Sequence, residues 1–183
     1  MQQAKSASGA FIKFILLAAA LYLSLFFSHQ FIVRRYTYYD QHFIGSIIES
    51  ADFFLNLFGY HTFTILQDRD VQVIGIDGST GVWVGSNCNA ISLFSLFVVF
   101  ILAYPGPIKH KVWFIPLGII LIHIANIFRV VALAMIAFHA PSYLNFNHTY
   151  TFTFLVYLFI FGLWMLWVNK FADKLQTNSN EKD

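Results

Sequence analysis

Charge is what this chain has least of. Asp, Glu, Lys and Arg make up 11% of its 183 residues, whereas 58% are hydrophobic and 19% aromatic. A soluble domain carries about 25% charged residues. So little charge cannot cover a water-facing surface, which excludes an ordinary soluble domain and leaves an integral membrane protein. The mean hydropathy of +0.64 agrees. A net charge of +2, with no dense basic cluster, excludes nucleic acid as a partner. Cysteine is nearly absent too: Cys88 stands alone, so an internal disulfide and the Cys-pair metal motifs are excluded. His29, His42, His61, His110 and His139 fit no metal-ligand spacing. Asp77-Gly78-Ser79-Thr80-Gly81 does not match a phosphate loop. No cofactor is expected, and no internal repeat is present.

What the chain does have is long apolar runs. Four are long enough for a bilayer, which takes about 20 residues: about 11–33, 88–104, 112–138 and 152–168. The first follows Lys5 and Lys13, is longer than a signal core and ends at no small-x-small site, so it reads as an uncleaved anchor. Lys5, Lys13, Lys109, Lys111, Lys170 and Lys174 all fall on one side of a four-span chain, and that side is expected to be the cytoplasm. Both termini are then cytoplasmic. The opposite side receives residues 34–87 and 139–151. The first of these segments carries Arg34, Arg35 and Arg69, against Asp40, Glu49, Asp52, Asp68, Asp70 and Asp77.

Residues 42–60 are the rival fifth span. Gly45, Glu49, Asp52 and Asn56 share one helical face, while Ile44, Ile48, Ala51, Leu55 and Phe58 fill the other. Burying a central carboxylate costs about 2.5–3.5 kcal/mol on insertion scales, so an amphipathic helix in the outer interface is expected. Val71, Val73, Gly75, Ile76, Asp77-Gly78 and Gly81-Val82-Trp83 predict short strands with turns, a small extracytoplasmic β-hairpin-like segment. The fold class expected is an all-α membrane helical bundle of about four spans. Residues 1–175 form its single domain, and 176–183 read as a disordered polar tail.

This topology brings three polar groups to one membrane depth. Cys88 opens the second span and His148 precedes the fourth. Arg129 follows about 17 residues of the third, roughly 26 Å of rise, in the outer part of a core about 30 Å thick. A thiol becomes a strong nucleophile only when ionised, and an imidazole can take its proton. A guanidinium can stabilise the oxyanion formed when a thiolate attacks an amide, and the imidazole can then protonate the leaving amine. Each residue has a plainer reading. Cys88 alone is a packing cysteine, His148 a loop histidine, and Arg129 the structural partner of Glu49 or Asp52. An arginine within a span is nevertheless a functional candidate. Asn126, one turn before Arg129, is placed to orient the guanidinium or to hydrogen-bond between helices. His123 reads as structural.

Three segments carry a resemblance: Ser86-Asn87-Cys88-Asn89-Ala90-Ile91, Asn126-Ile127-Phe128-Arg129 and Asn145-Phe146-Asn147-His148. In this order, and over roughly residues 81–168, the chain resembles the exosortase/archaeosortase family, in particular its short Bacteroidetes exosortase F-like members. Asn126 and Arg129 match the family's Asn-x-x-Arg signature. Asn89-Ala90 stands where many members have Ser-Gly, and Asn89 is counted with Asn126 as a supporting residue. The resemblance implies a cysteine transpeptidase or protease of the bacterial cytoplasmic membrane, with Cys88, Arg129 and His148 catalytic and facing outward. Its implied substrates are C-terminally anchored proteins whose sorting signal is a short motif, a transmembrane helix and a basic cluster. The alternative is a non-catalytic membrane scaffold or assembly partner in envelope export. A small transporter fits less well, because no second buried charge and no pair of broken segments is present.

Overall fold

Proline and backbone handedness decide where the helices stop. The computed structural model describes residues 2–28, 31, 39–68, 71–85, 88 and 90–172. Helix α1 covers Gln2–Ser28, α2 Tyr39–Leu57, α3 Ile91–Ala103, α4 Ile108–His139 and α5 Phe152–Trp167. Strands β1 (Thr62–Asp68), β2 (Val71–Ile76) and β3 (Val82–Gly85) lie between α2 and α3. Pro105 pushes the residue before it out of the helical region, and Tyr104 is extended with φ −76° and ψ 138°, which ends α3. Lys111, in the first turn of α4, donates Nζ to the Leu102 carbonyl at 3.0 Å and the Tyr104 carbonyl at 2.7 Å. That satisfies carbonyls at the end of α3 and puts a cation at its negative pole.

Two helical stretches are long and apolar enough to cross a membrane: Ile108–His139, 32 residues, and Pro141–Phe171, 31 residues. The fourth expected span, 152–168, is thus part of a longer helical run. The second, 88–104, is cut at both ends. Its helix begins late, after Ala90 in the left-handed region at φ 62°, and has 13 residues. At 1.5 Å per residue that is about 20 Å, short of a core about 30 Å thick. The apolar part of α1 is Ile12–Ser28; residues 29–30 and 32–33 of the first expected span lie outside the described residues, as does the tail 176–183.

The strand region is a three-stranded antiparallel sheet in the order β1-β2-β3, not a single hairpin. Thr62 pairs with Ile76 and Ile74 with Val82. The Asp77-Gly78 turn forms as its sequence predicts. Ser79 N–H donates to the Ile76 carbonyl at 2.9 Å, and Gly78 supplies the φ of 87° that residues with a Cβ avoid.

Helix α2, this sheet and α4 pack against one another around one core. Ile44, Ile48, Ala51 and Leu55, joined by Ile47, are buried in one cluster with Ile74, Ile76, Val82 and Val84 of the sheet and Ile127, Val130, Val131 and Ala134 of α4. The apolar stripe is therefore covered by protein, not by lipid, and Phe58, beyond the helix end, is exposed. Each buried Ile or Leu contributes roughly 1.5–3 kcal/mol of transfer free energy. A second cluster joins Phe97 and Ile101 of α3, Phe114 and Ile122 of α4, and Val156, Ile160, Leu163 and Trp167 of α5. Along α4, Asn126 falls between Ile122 of the second cluster and Ile127 of the first, and Arg129 follows one turn later.

Candidate thiol–imidazole site

Cys88 stands in the short join between β3 and α3. Its N–H donates to the Gly85 carbonyl at 2.8 Å, a tight turn directly after the strand. Two residues on, Ala90 takes its left-handed φ and is buried, and α3 starts with no side-chain cap. The Cys88 side chain is half-buried at the edge of the α2–sheet–α4 core.

His148 reaches the same place from the other side of the fold. It lies within Asn147–Thr151, a turn wound wide so that Phe152 N–H bonds to the Asn147 carbonyl, five residues back. Such π-type turns expand a helix locally and recur at functional sites. Here the turn leads the His148 ring to the sulfur: Sγ and Nε2 are 3.6 Å apart. That is hydrogen-bonding range for sulfur, and a neutral imidazole with its proton on Nδ1 can accept the thiol proton through Nε2.

Helix α4 touches both residues. Asn126 Nδ2 donates to the Cys88 carbonyl at 2.8 Å. One turn later, Arg129 Nη2 lies 3.5 Å from the His148 carbonyl, a long contact at the edge of hydrogen-bond reach. The guanidinium thus reaches the main chain of His148. Neither Glu49 nor Asp52 pairs with it: Glu49 is exposed, and Asp52 Oδ1 accepts from Thr62 Oγ1. Asn126, expected either to orient the guanidinium or to hydrogen-bond between helices, donates to the cysteine carbonyl at the entrance to α3. Asn89 lies outside the described residues. His123 packs its ring against Phe43 at 5.1 Å between centroids, and its Nδ1 has no hydrogen-bond partner.

Sequence reasoning missed Thr153 and Ala90. Thr153 Oγ1 donates to the His148 carbonyl at 3.3 Å, five residues back, a spacing no α-helical pattern would flag. Ala90 gives no signal because its importance lies in its backbone angle.

Arg129 borders two spaces. One is a cavity of about 170 Å³, where the uncapped start of α3 (Ala90, Ser92, Leu93) faces Thr153 and Tyr157. The other is an open groove of about 490 Å³ between α4 and α5, walled by Ala125, Phe128, Ala132, Phe152, Leu155 and Phe159, with Arg129 as its one charged residue. Among the described residues, no three His, Cys, Asp or Glu side chains gather as a metal site. No known protein family, curated protein or solved structure matches this chain.

Proposed function

We propose that this chain is a membrane-embedded cysteine peptidase or transpeptidase of the exosortase/archaeosortase kind. The observation that carries the reading is the 3.6 Å approach of Cys88 Sγ to His148 Nε2. In the proposed reaction, Nε2 takes the thiol proton and the thiolate attacks the scissile carbonyl carbon, forming a C–S bond and an oxyanion. The oxyanion occupies the cavity bordered by Arg129 and the first turn of α3, where a guanidinium and a helix N-terminus both favour negative charge. The imidazolium returns its proton to the leaving nitrogen, the C–N bond breaks, and a thioester remains on Cys88. An amine or water then resolves it.

In this reading the chain crosses the cytoplasmic membrane four times, through the apolar part of α1, through residues 88–104, of which α3 is only the helical part, and through α4 and α5. The site faces outward and the termini face the cytoplasm. Substrates are exported proteins held by a C-terminal transmembrane helix. The groove between α4 and α5 is bordered by Arg129 and is apolar enough for part of such a helix to lie against it. The alternative, a non-catalytic scaffold for envelope export, draws on one observation: Cys88 also packs against the α2–sheet–α4 core, as an inert cysteine would. Co-expression with a C-terminally anchored substrate separates the two. Cys88→Ala abolishes processing while the protein still accumulates in the membrane if the chain is an enzyme. Undiminished processing by Cys88→Ala would remove the enzymatic reading.

A further inference from the structure

Asn126 is the one buried polar side chain of the described core, at 1% exposure. A polar group is costly to bury unless it is bonded, and here only half of the amide is. Nδ2 donates to the Cys88 carbonyl at 2.8 Å, whereas Oδ1 is buried with no partner. Turning the amide over would set oxygen against oxygen, so the acceptor itself fixes the orientation. The bonded half therefore accounts for the residue's presence.

What Asn126 holds lies outside the regular elements. Cys88 belongs to neither strand nor helix, and the start of α3 has no side-chain cap. Ala90, two residues on, is the one described non-glycine residue with positive φ. The Cys88 main chain is fastened on both sides of its Cα: its N–H donates to the Gly85 carbonyl, and its carbonyl accepts from Asn126. Releasing the oxygen frees the peptide unit after Cys88 and loosens the backbone torsions at its Cα, which set the direction of the sulfur. The opposite partner is fastened in the same manner: the His148 carbonyl receives Thr153 Oγ1 and approaches Arg129 Nη2. Asn126 and Arg129 are three apart on α4 and so share a face. One helix thus addresses the main chain on both sides of the sulfur–imidazole pair.

We propose that Asn126 is a positioning residue that holds the Cys88 peptide so that the sulfur meets the His148 imidazole. The inference rests on the enzymatic reading for its purpose, but its test does not need a substrate. The purified full chain, in detergent, is alkylated with iodoacetamide, and the rate at Cys88 is followed against pH for wild type, His148→Ala, Asn126→Leu and Asn126→Asp. His148→Ala defines the part of the rate that depends on the pair.

Asn126→Leu fills the same space without a donor. It is expected to lose the His148-dependent part, a fall of about five- to tenfold, the worth of one hydrogen bond, with its thermal unfolding midpoint near that of wild type. Asn126→Asp offers an acceptor to an acceptor when ionised, but a donating O–H when protonated. Its rate relative to wild type is expected to rise as pH falls, which a purely structural role would not produce. A His148-dependent rate in Asn126→Leu within twofold of wild type would overturn the proposal. So would a flat Asn126→Asp ratio across pH, which decides the matter alone if Asn126→Leu does not accumulate. A wild-type rate indifferent to His148→Ala overturns it as well. The enzymatic reading stands or falls separately, on whether Cys88→Ala stops processing.

Discussion

Cys88 and His148, sixty residues apart in sequence, meet with Sγ 3.6 Å from Nε2. Their pairing makes the imidazole the only described side chain in reach of the thiol proton. His148→Ala is therefore expected to lower processing of an anchored substrate by about 100-fold or more, the usual contribution of a general base, with the protein still present in the membrane. Turnover within a few-fold of wild type would leave the ring without a chemical role.

Arg129 tests a different feature, the geometry of a cation. It borders both the small cavity at the start of α3 and the groove along α5. Arg129→Ala is expected to lower processing by about 100-fold or more, as loss of an oxyanion donor does. Arg129→Lys keeps the charge but not the planar fork, and it is expected to recover less than a tenth of the loss. Full activity in the Lys variant would mean that charge alone suffices.

Helix α3 lies against α4 at Gly118, and the approach tolerates no side chain. A Cβ there would collide with Cζ of Phe97, a buried ring. Gly118→Ala is expected to destabilise the fold by about 1–3 kcal/mol through overpacking. Combining it with Phe97→Leu should recover part of that loss, read as the unfolding midpoint in detergent. An additive double variant would show that the two sites do not share this contact.

Ala90 holds a left-handed backbone, φ 62° and ψ 2°, at the entrance to α3. A residue with a Cβ gives up about 1–2 kcal/mol there, and glycine recovers most of it, less its greater entropy when unfolded. Ala90→Gly is expected to stabilise by up to about 1 kcal/mol, and Ala90→Val to destabilise by more than that. A loss of stability in Ala90→Gly would mean that the methyl group's packing outweighs the strain.

Much of the site was legible because its residues sit at the ends of apolar runs. Cys88 and His148 meet, and Arg129 reaches the His148 main chain; counting residues along helices expects all three near one depth. The apolar face of α2 was legible too, since Ile44, Ile48, Ala51 and Leu55 repeat at helical spacing. What covers that face was not, because a stripe that suits lipid suits a sheet equally well. Strand β1 gave no alternating signal because most of Thr62–Asp68 is exposed on both faces. The shortness of α3 lay in a backbone angle at Ala90 that no residue type announces. The partner of Asn126 was hidden for another reason: the acceptor is a main-chain carbonyl, and every residue has one.

The wide turn at Asn147–Thr151 uncouples two requirements. Each residue of an ordinary helix advances by about 100°, so the aim of the imidazole and the seating of Val156 and Ile160 would otherwise be locked in a single rotation. The extra residue supplies the missing phase. Shortening this stretch by one position would leave either the ring aimed away from the sulfur or the downstream apolar face turned out of its socket.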